Sequence, residues 1–141
     1  MVMFFNVPEV KTFLLENGEV FTLRKMRKRV GNDIAVTGSY FKQIKLARIN
    51  IELVGRIVDW SELIPYVEGS GLYTEKKIIP MTVIICPILD ITEIYLLSRD
   101  DAKKLVSKRW LELAKKLSKT SDLYLYKVTV LDKRKVYKER C

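Results

Sequence analysis

Arg24, Lys25, Arg27, Lys28 and Arg29 place five cations within six residues, and Lys42, Lys45 and Arg48 add three more a short distance on. Such side chains neutralise phosphates, and each phosphate neutralised steepens the salt dependence of binding by about 0.9 (duplex) or about 0.7 (single strand) in log–log slope. A solvated turn is the other reading of a basic run. Tyr40 and Phe41 lie directly before Lys42. A ring beside cations is what stacking on an unpaired base needs, although the first expectation for two such rings is that they close the end of a sheet as core. Thr22 and Arg24 stand two apart, so a strand would put them on one face; threonine there is also an ordinary β-former. Trp60 could line a cleft, whereas Trp110, Tyr124 and Tyr126 read as packing.

Other chemistries are excluded by composition. The chain has no histidine, which removes imidazole bases, Ser-His-Asp and Cys-His arrangements and any zinc site using His. Cys86 and Cys141 alone cannot make a four-cysteine zinc site, and their placement argues against a structural disulfide. No metal and no cofactor are expected. The 26 Lys and Arg against 17 Asp and Glu leave a net charge of +9, the physical default for a polyanionic partner. The apolar N-terminus lacks the basic region of a signal peptide. The longest charge-free apolar run, residues 78 to 89, is 12 residues with two prolines, short of the roughly 20 needed to span a bilayer. The expected protein is therefore cytoplasmic, with RNA as its first partner, DNA as its second and no membrane. One glutamine among many Lys and Glu leans toward a thermophilic source.

The elements that must position these residues follow from periodicity. Val10, Phe13 and Leu14 ahead of Gly18 predict a short amphipathic helix, residues 9 to 17. Alternation predicts a strand over 19 to 26, and Val30 to Asp33 is turn chemistry before a returning strand at Ile34 to Val36. From Ile44 to Val54 the apolar phase shifts between Leu46 and Ala47, as in a long bent strand with a bulge. Ser61 can cap a short helix over 62 to 67. Met81 to Ile85 reads as a strand, 91 to 97 as strand or helix. Asp100 to Leu117 carries one apolar stripe with Lys on the other side, a helix that packs on the sheet rather than on a membrane. Leu123 to Leu131 reads as a last strand, before a basic tail over 132 to 141. These elements predict one α+β domain over 1–141, a small mixed β-barrel decorated with short helices and one longer helix.

The stretch Leu15-Glu16-Asn17-Gly18-Glu19-Val20-Phe21-Thr22-Leu23-Arg24, with the basic run and Val30-Gly31-Asn32-Asp33 after it, resembles the ASCH domains, a PUA-like barrel family. Leu46 to Ile51 is similar to that family's central strand, Ile64 to Gly71 to the segment after it, and Trp110 with Leu123 to Val128 to its closing helix and strand. Residues 76–100 look like an insertion, and the expected source is archaeal. The resemblance implies a cleft for single-stranded RNA or a modified nucleoside, at a signature Gly-x-Lys-x-x-(Glu/Thr)-x-Arg. Arg24 matches its arginine and Thr22 its Glu/Thr position, while Glu19 stands at the lysine and Asn17 at the glycine. In members that hydrolyse N4-acetylcytidine, the lysine activates the threonine as nucleophile. Thr22 and Glu19 are thus the candidate catalytic residues, with Glu52 a further carboxylate. Arg24, Lys25, Arg27, Lys28, Arg29, Tyr40, Lys42, Lys45 and Arg48 are the candidate nucleic-acid contacts. The function expected first is RNA binding. A ribonuclease or nucleoside amidohydrolase, and a protein-interaction or transcription-cofactor domain, are the alternatives.

Overall fold

Proline at position 8 presets the backbone angle of a first helical turn, and Gly18, at φ 77°, supplies the left-handed stop, its N–H bonding the Leu14 carbonyl. In a computed structural model describing residues 2–27, 30–90, 93 and 97–131, a short strand β1 (Val2–Phe4) precedes this helix, α1 (Pro8–Asn17). β2 (Glu19–Arg24) leaves directly from Gly18. β3 (Gly31–Ser39) and β4 (Lys42–Ile57) make a hairpin whose tip is Tyr40 and Phe41. A 3₁₀ helix (Trp60–Gly69), a second hairpin of β5 (Thr74–Ile78) and β6 (Met81–Ile85), helix α2 (Arg99–Ser118) and β7 (Leu123–Val130) complete the described chain.

Five strands form one sheet in the order β1-β3-β4-β7-β2, with β1 parallel to β3 and the other pairs antiparallel. Among the described residues β5 and β6 pair only with each other. The fold is mixed α+β. The ladder ends at β1 on one side and β2 on the other. β4 can serve both β3 and β7 over 16 residues because it bends: Ala47 faces Ala35 while Lys45 faces Val36, so Leu46 is the extra residue. That is where the apolar phase breaks in the sequence. A second irregularity falls at Val54, between Leu53 and Gly55.

Alternation sends neighbouring residues to two cores. Val20, Ile49, Ile51, Tyr126 and Val128 pack with Met3, Phe5 and Leu14 of the N-terminal segment. Leu23, Ile57, Leu123 and Leu125 pack instead with the 3₁₀ helix and α2 through Leu63, Val67, Val106 and Trp110. Among the described residues no helix is long and apolar enough to cross a membrane.

Several local expectations are corrected. Residues 31 to 33 belong to β3 rather than a turn, and Asp33 points inward, its Oδ2 pairing with Arg27 at 2.7 Å while its Oδ1 accepts from the Ile34 N–H at 2.9 Å. β2 ends at Arg24, two residues earlier than expected. The segment after Asp59 is 3₁₀ and is not capped by Ser61, whose hydroxyl donates to the Asp59 carboxylate. The two N–H groups just ahead of it go to Glu62, which accepts from Val58 (2.7 Å) and Asp59 (3.0 Å). Pro65, lacking an N–H, cannot complete an α-helical ladder there. β1 and β5 were not foreseen. The basic tail and most of the 91 to 97 stretch lie outside the described residues.

Candidate functional site

Strand alternation puts Thr22 and Arg24 on the β2 face shared with Val20, where they stand opposite Tyr126 and Tyr124 of β7. The two side chains bond directly: Arg24 Nε donates to Thr22 Oγ1 at 3.0 Å. Arg24 Nη2 donates to the Phe4 carbonyl of β1 at 2.6 Å, and the guanidinium lies 5.1 Å from the centroid of the Phe5 ring. One side chain thus bridges the two terminal strands of the sheet. Its hydrogen-bond acceptors are both neutral. Burial, and secondarily the neighbouring Arg27, push the Arg24 guanidinium down to about 10, so it remains a cation at neutral pH.

Beside this group lies a cavity of about 420 Å³, within the roughly 300–1,000 Å³ typical of small-ligand pockets. Its walls are Phe4 at the end of β1 with residues 5 to 7 after it, Thr22 to Arg24, and Trp110, Leu113 and Leu117 on α2. The lining is mostly apolar, with Arg24 its one charged group. A planar apolar body carrying acceptor atoms at one edge matches that chemistry.

Asn6, on the wall of the cavity, is also the anchor of the β3–β4 hairpin. Its Oδ1 accepts from Gly38 N (2.8 Å) and Thr37 Oγ1 (3.0 Å), and its Nδ2 donates to the Gly38 carbonyl (2.9 Å). Gly38 has φ 106°, and a Cβ there would fall 2.3 Å from the Lys42 carbonyl oxygen, so the tip depends on glycine. Two residues on, Tyr40 and Phe41 are 77% and 95% exposed, their rings edge to face at 5.3 Å. They do not close a core. Lys42 and Lys45 are exposed beside them, and Arg48 is exposed further along β4.

The remaining sequence-derived residues fall into different settings. Lys25 is exposed. Arg27 is committed to the protein itself: its Nη2 pairs with Asp33 Oδ2 at 2.7 Å and its backbone N–H bonds the Tyr126 hydroxyl at 2.9 Å. Lys28 and Arg29 lie outside the described residues. Glu19 is on the opposite face from Thr22, 3.6 Å from Lys127 Nζ, and Glu52 stands opposite the same lysine. Among the described residues no carboxylate or amine bonds Thr22, which is buried at 8% exposure and whose hydroxyl already accepts from Arg24. Trp60 is partly buried against the second core, with the Lys108 ammonium 4.7 Å above its ring. Cys86 is buried, which pushes its thiol up to about 11. Among the described residues no group of three His, Cys, Asp or Glu could hold a metal ion.

Sequence reasoning missed Asn6, Phe4 and the α2 residues Leu113 and Leu117. Asn6 left one signal, a lone amide between Phe5 and Val7. The helix residues left none, since a cavity wall has the same periodicity as a packed stripe. Compared with protein-family models, with curated proteins and with solved structures, the chain matches none.

Proposed function

We propose that this chain is an RNA-binding module of the PUA-like, ASCH-type kind, which holds a single strand across the β3–β4 hairpin and seats one base in the cavity beside Arg24. In this reading the sheet curls until β1 and β2 meet, and Arg24 closes the seam of a small barrel through the Phe4 carbonyl. The observation that carries the proposal is the pair of almost fully exposed rings, Tyr40 and Phe41, on a tip that Asn6 ties to the cavity wall. Exposed aromatics contribute nothing to a core, and every base offers a face to stack on. Lys25, Lys42, Lys45 and Arg48 supply exposed cations for the backbone. Thr22 serves as a support for Arg24 in this scheme, with no base beside it among the described residues to raise its nucleophilicity.

The test is fluorescence anisotropy with labelled single-stranded RNA, double-stranded RNA and single-stranded DNA at several salt concentrations, the strands being checked on a gel afterwards. Single-stranded RNA is expected to bind most tightly, with a log–log salt slope of about 0.7 for each phosphate contacted, and to be recovered intact. Equal binding of single-stranded DNA would widen the ligand class, and shortened RNA would turn the reading to a ribonuclease. Absence of binding at low salt would refute the proposal.

A further inference from the structure

The β5–β6 hairpin has an unusual distribution of surface. Its apex, residues 78 to 81, is four consecutive apolar residues, all exposed: Ile78 is 54%, Ile79 94% and Met81 66% accessible. Register puts Ile78, Met81, Val83 and Ile85 on one face with Lys76, while Ile84 on the other face packs against the core. A contiguous aliphatic apex in water needs an explanation that scattered surface residues do not. The hairpin's single acid, Glu75, is neutralised within the fold, accepting from Arg99 Nε at 2.6 Å and from the Tyr73 hydroxyl at 2.7 Å. The exposed charges that remain on the hairpin, without a partner among the described residues, are positive: Lys76 and Lys77, directly behind the apex.

Three occupants are conceivable and the residues discriminate among them. Residues 74 to 85 contain no aromatic ring, so the apex cannot stack on bases as Tyr40 and Phe41 can. A second copy of the chain would bring Lys76 and Lys77 against themselves in a protein of net charge +9, and lysines on an edge strand oppose strand pairing. An anionic lipid surface fits both features. With a rise of about 3.3 Å per residue, the two lysines trail Ile78 by about 3 and 7 Å, which matches the depth of roughly 5–10 Å to which apolar faces enter the headgroup boundary.

We propose that the β5–β6 hairpin inserts its Ile78–Met81 apex into anionic membrane surfaces while Lys76 and Lys77 engage the headgroups. This site is separate from the Arg24 cavity and departs from the expectation of no membrane partner, which was drawn from an apolar run over residues 78 to 89 too short to span a bilayer and from the packed stripe of α2; insertion of an apex into a surface needs no span.

The experiment is flotation of the full chain with vesicles of phosphatidylcholine alone or mixed with phosphatidylglycerol, at low and physiological salt. Wild type is expected to float with the anionic vesicles only. Ile79→Asp, at a position too exposed to affect folding, should lower partitioning by about tenfold or more. Lys76→Gln and Lys77→Gln should each lower it about fivefold, and Phe41→Ala should leave it unchanged. Failure of wild type to float at low salt would overturn the proposal. So would flotation of Ile79→Asp at the wild-type level, which would make binding a property of net charge. Self-association in sedimentation velocity that Ile79→Asp abolishes, without vesicle binding, would overturn it in favour of a second copy.

Discussion

Replacing Tyr40 and Phe41 by alanine separates a binding role from a folding role. Both rings are largely in solvent, 77% and 95% exposed, and their one ring contact is with each other at 5.3 Å. Truncation therefore removes little from the folded state beyond part of an edge-to-face contact, about 0.5–1.5 kcal/mol when such pairs are buried and less in water. Stacking on an unpaired base is worth about 1–3 kcal/mol per ring, so each single substitution should weaken single-stranded RNA binding by about 5- to 150-fold. Because the rings touch, the double variant should lose less than the sum. The assay pairs anisotropy at fixed salt with thermal melting followed by circular dichroism. The melting temperature and the salt slope should stay near wild type, since no phosphate contact is lost, while the dissociation constant rises. Wild-type affinity in the double variant would refute stacking at this tip and leave the cations alone to account for binding.

Three further outcomes test the surrounding structure. Asp33→Ala should destabilise the fold by about 3–5 kcal/mol in urea unfolding, because it strands the Arg27 guanidinium, 16% exposed, beside a second arginine. Gly38→Ala should distort the hairpin, since the added methyl meets the Lys42 carbonyl. A cost of about 1–3 kcal/mol and weaker RNA binding are expected together in melting and anisotropy. Glu62→Gln should matter most at neutral pH. The backbone N–H groups of Asp59 and Val58 hold the Glu62 carboxyl below its ordinary range, so its charge contributes stability above the unfolded-state value and loses it as pH falls through the folded one. The stability difference between variant and wild type should shrink on acidification, as followed by melting at stepped pH.

Much of this arrangement is legible in the sequence where periodicity is long. The break at Leu46 marked the bend of β4, and the stripe from Ala102 to Leu117 marked the helix that walls the cavity. Short or two-sided elements were not legible. β1 is three residues, and only its pairing with Ile34 to Val36 makes it a strand. β5 carries Lys76 and Lys77, which look like loop until β6 is laid against them. Alternation alone put Thr22 with Arg24, whereas pairing Thr22 with Glu19 as catalytic residues ran against it, because residues three apart on a strand face opposite sides. By contrast, the exposure of Tyr40 and Phe41 depended on where a two-residue turn would fall, which residue types do not decide. The Asn6 clamp joins residues 32 apart and has no local signature.

Arg24 bounds the cavity and also links the sheet's two terminal strands, so occupancy of one and closure of the other share a single guanidinium. A ligand that draws the Arg24 donors toward itself competes with the Phe4 carbonyl, while one that accepts only from its unspent N–H groups fixes the side chain in place. Binding and opening of β1 are then thermodynamically linked, with opposite signs for the two kinds of ligand. The exchange rate of backbone amides along β1 becomes a readout of how a bound molecule engages the cavity: slower exchange marks a ligand that completes the seam, faster exchange one that undoes it.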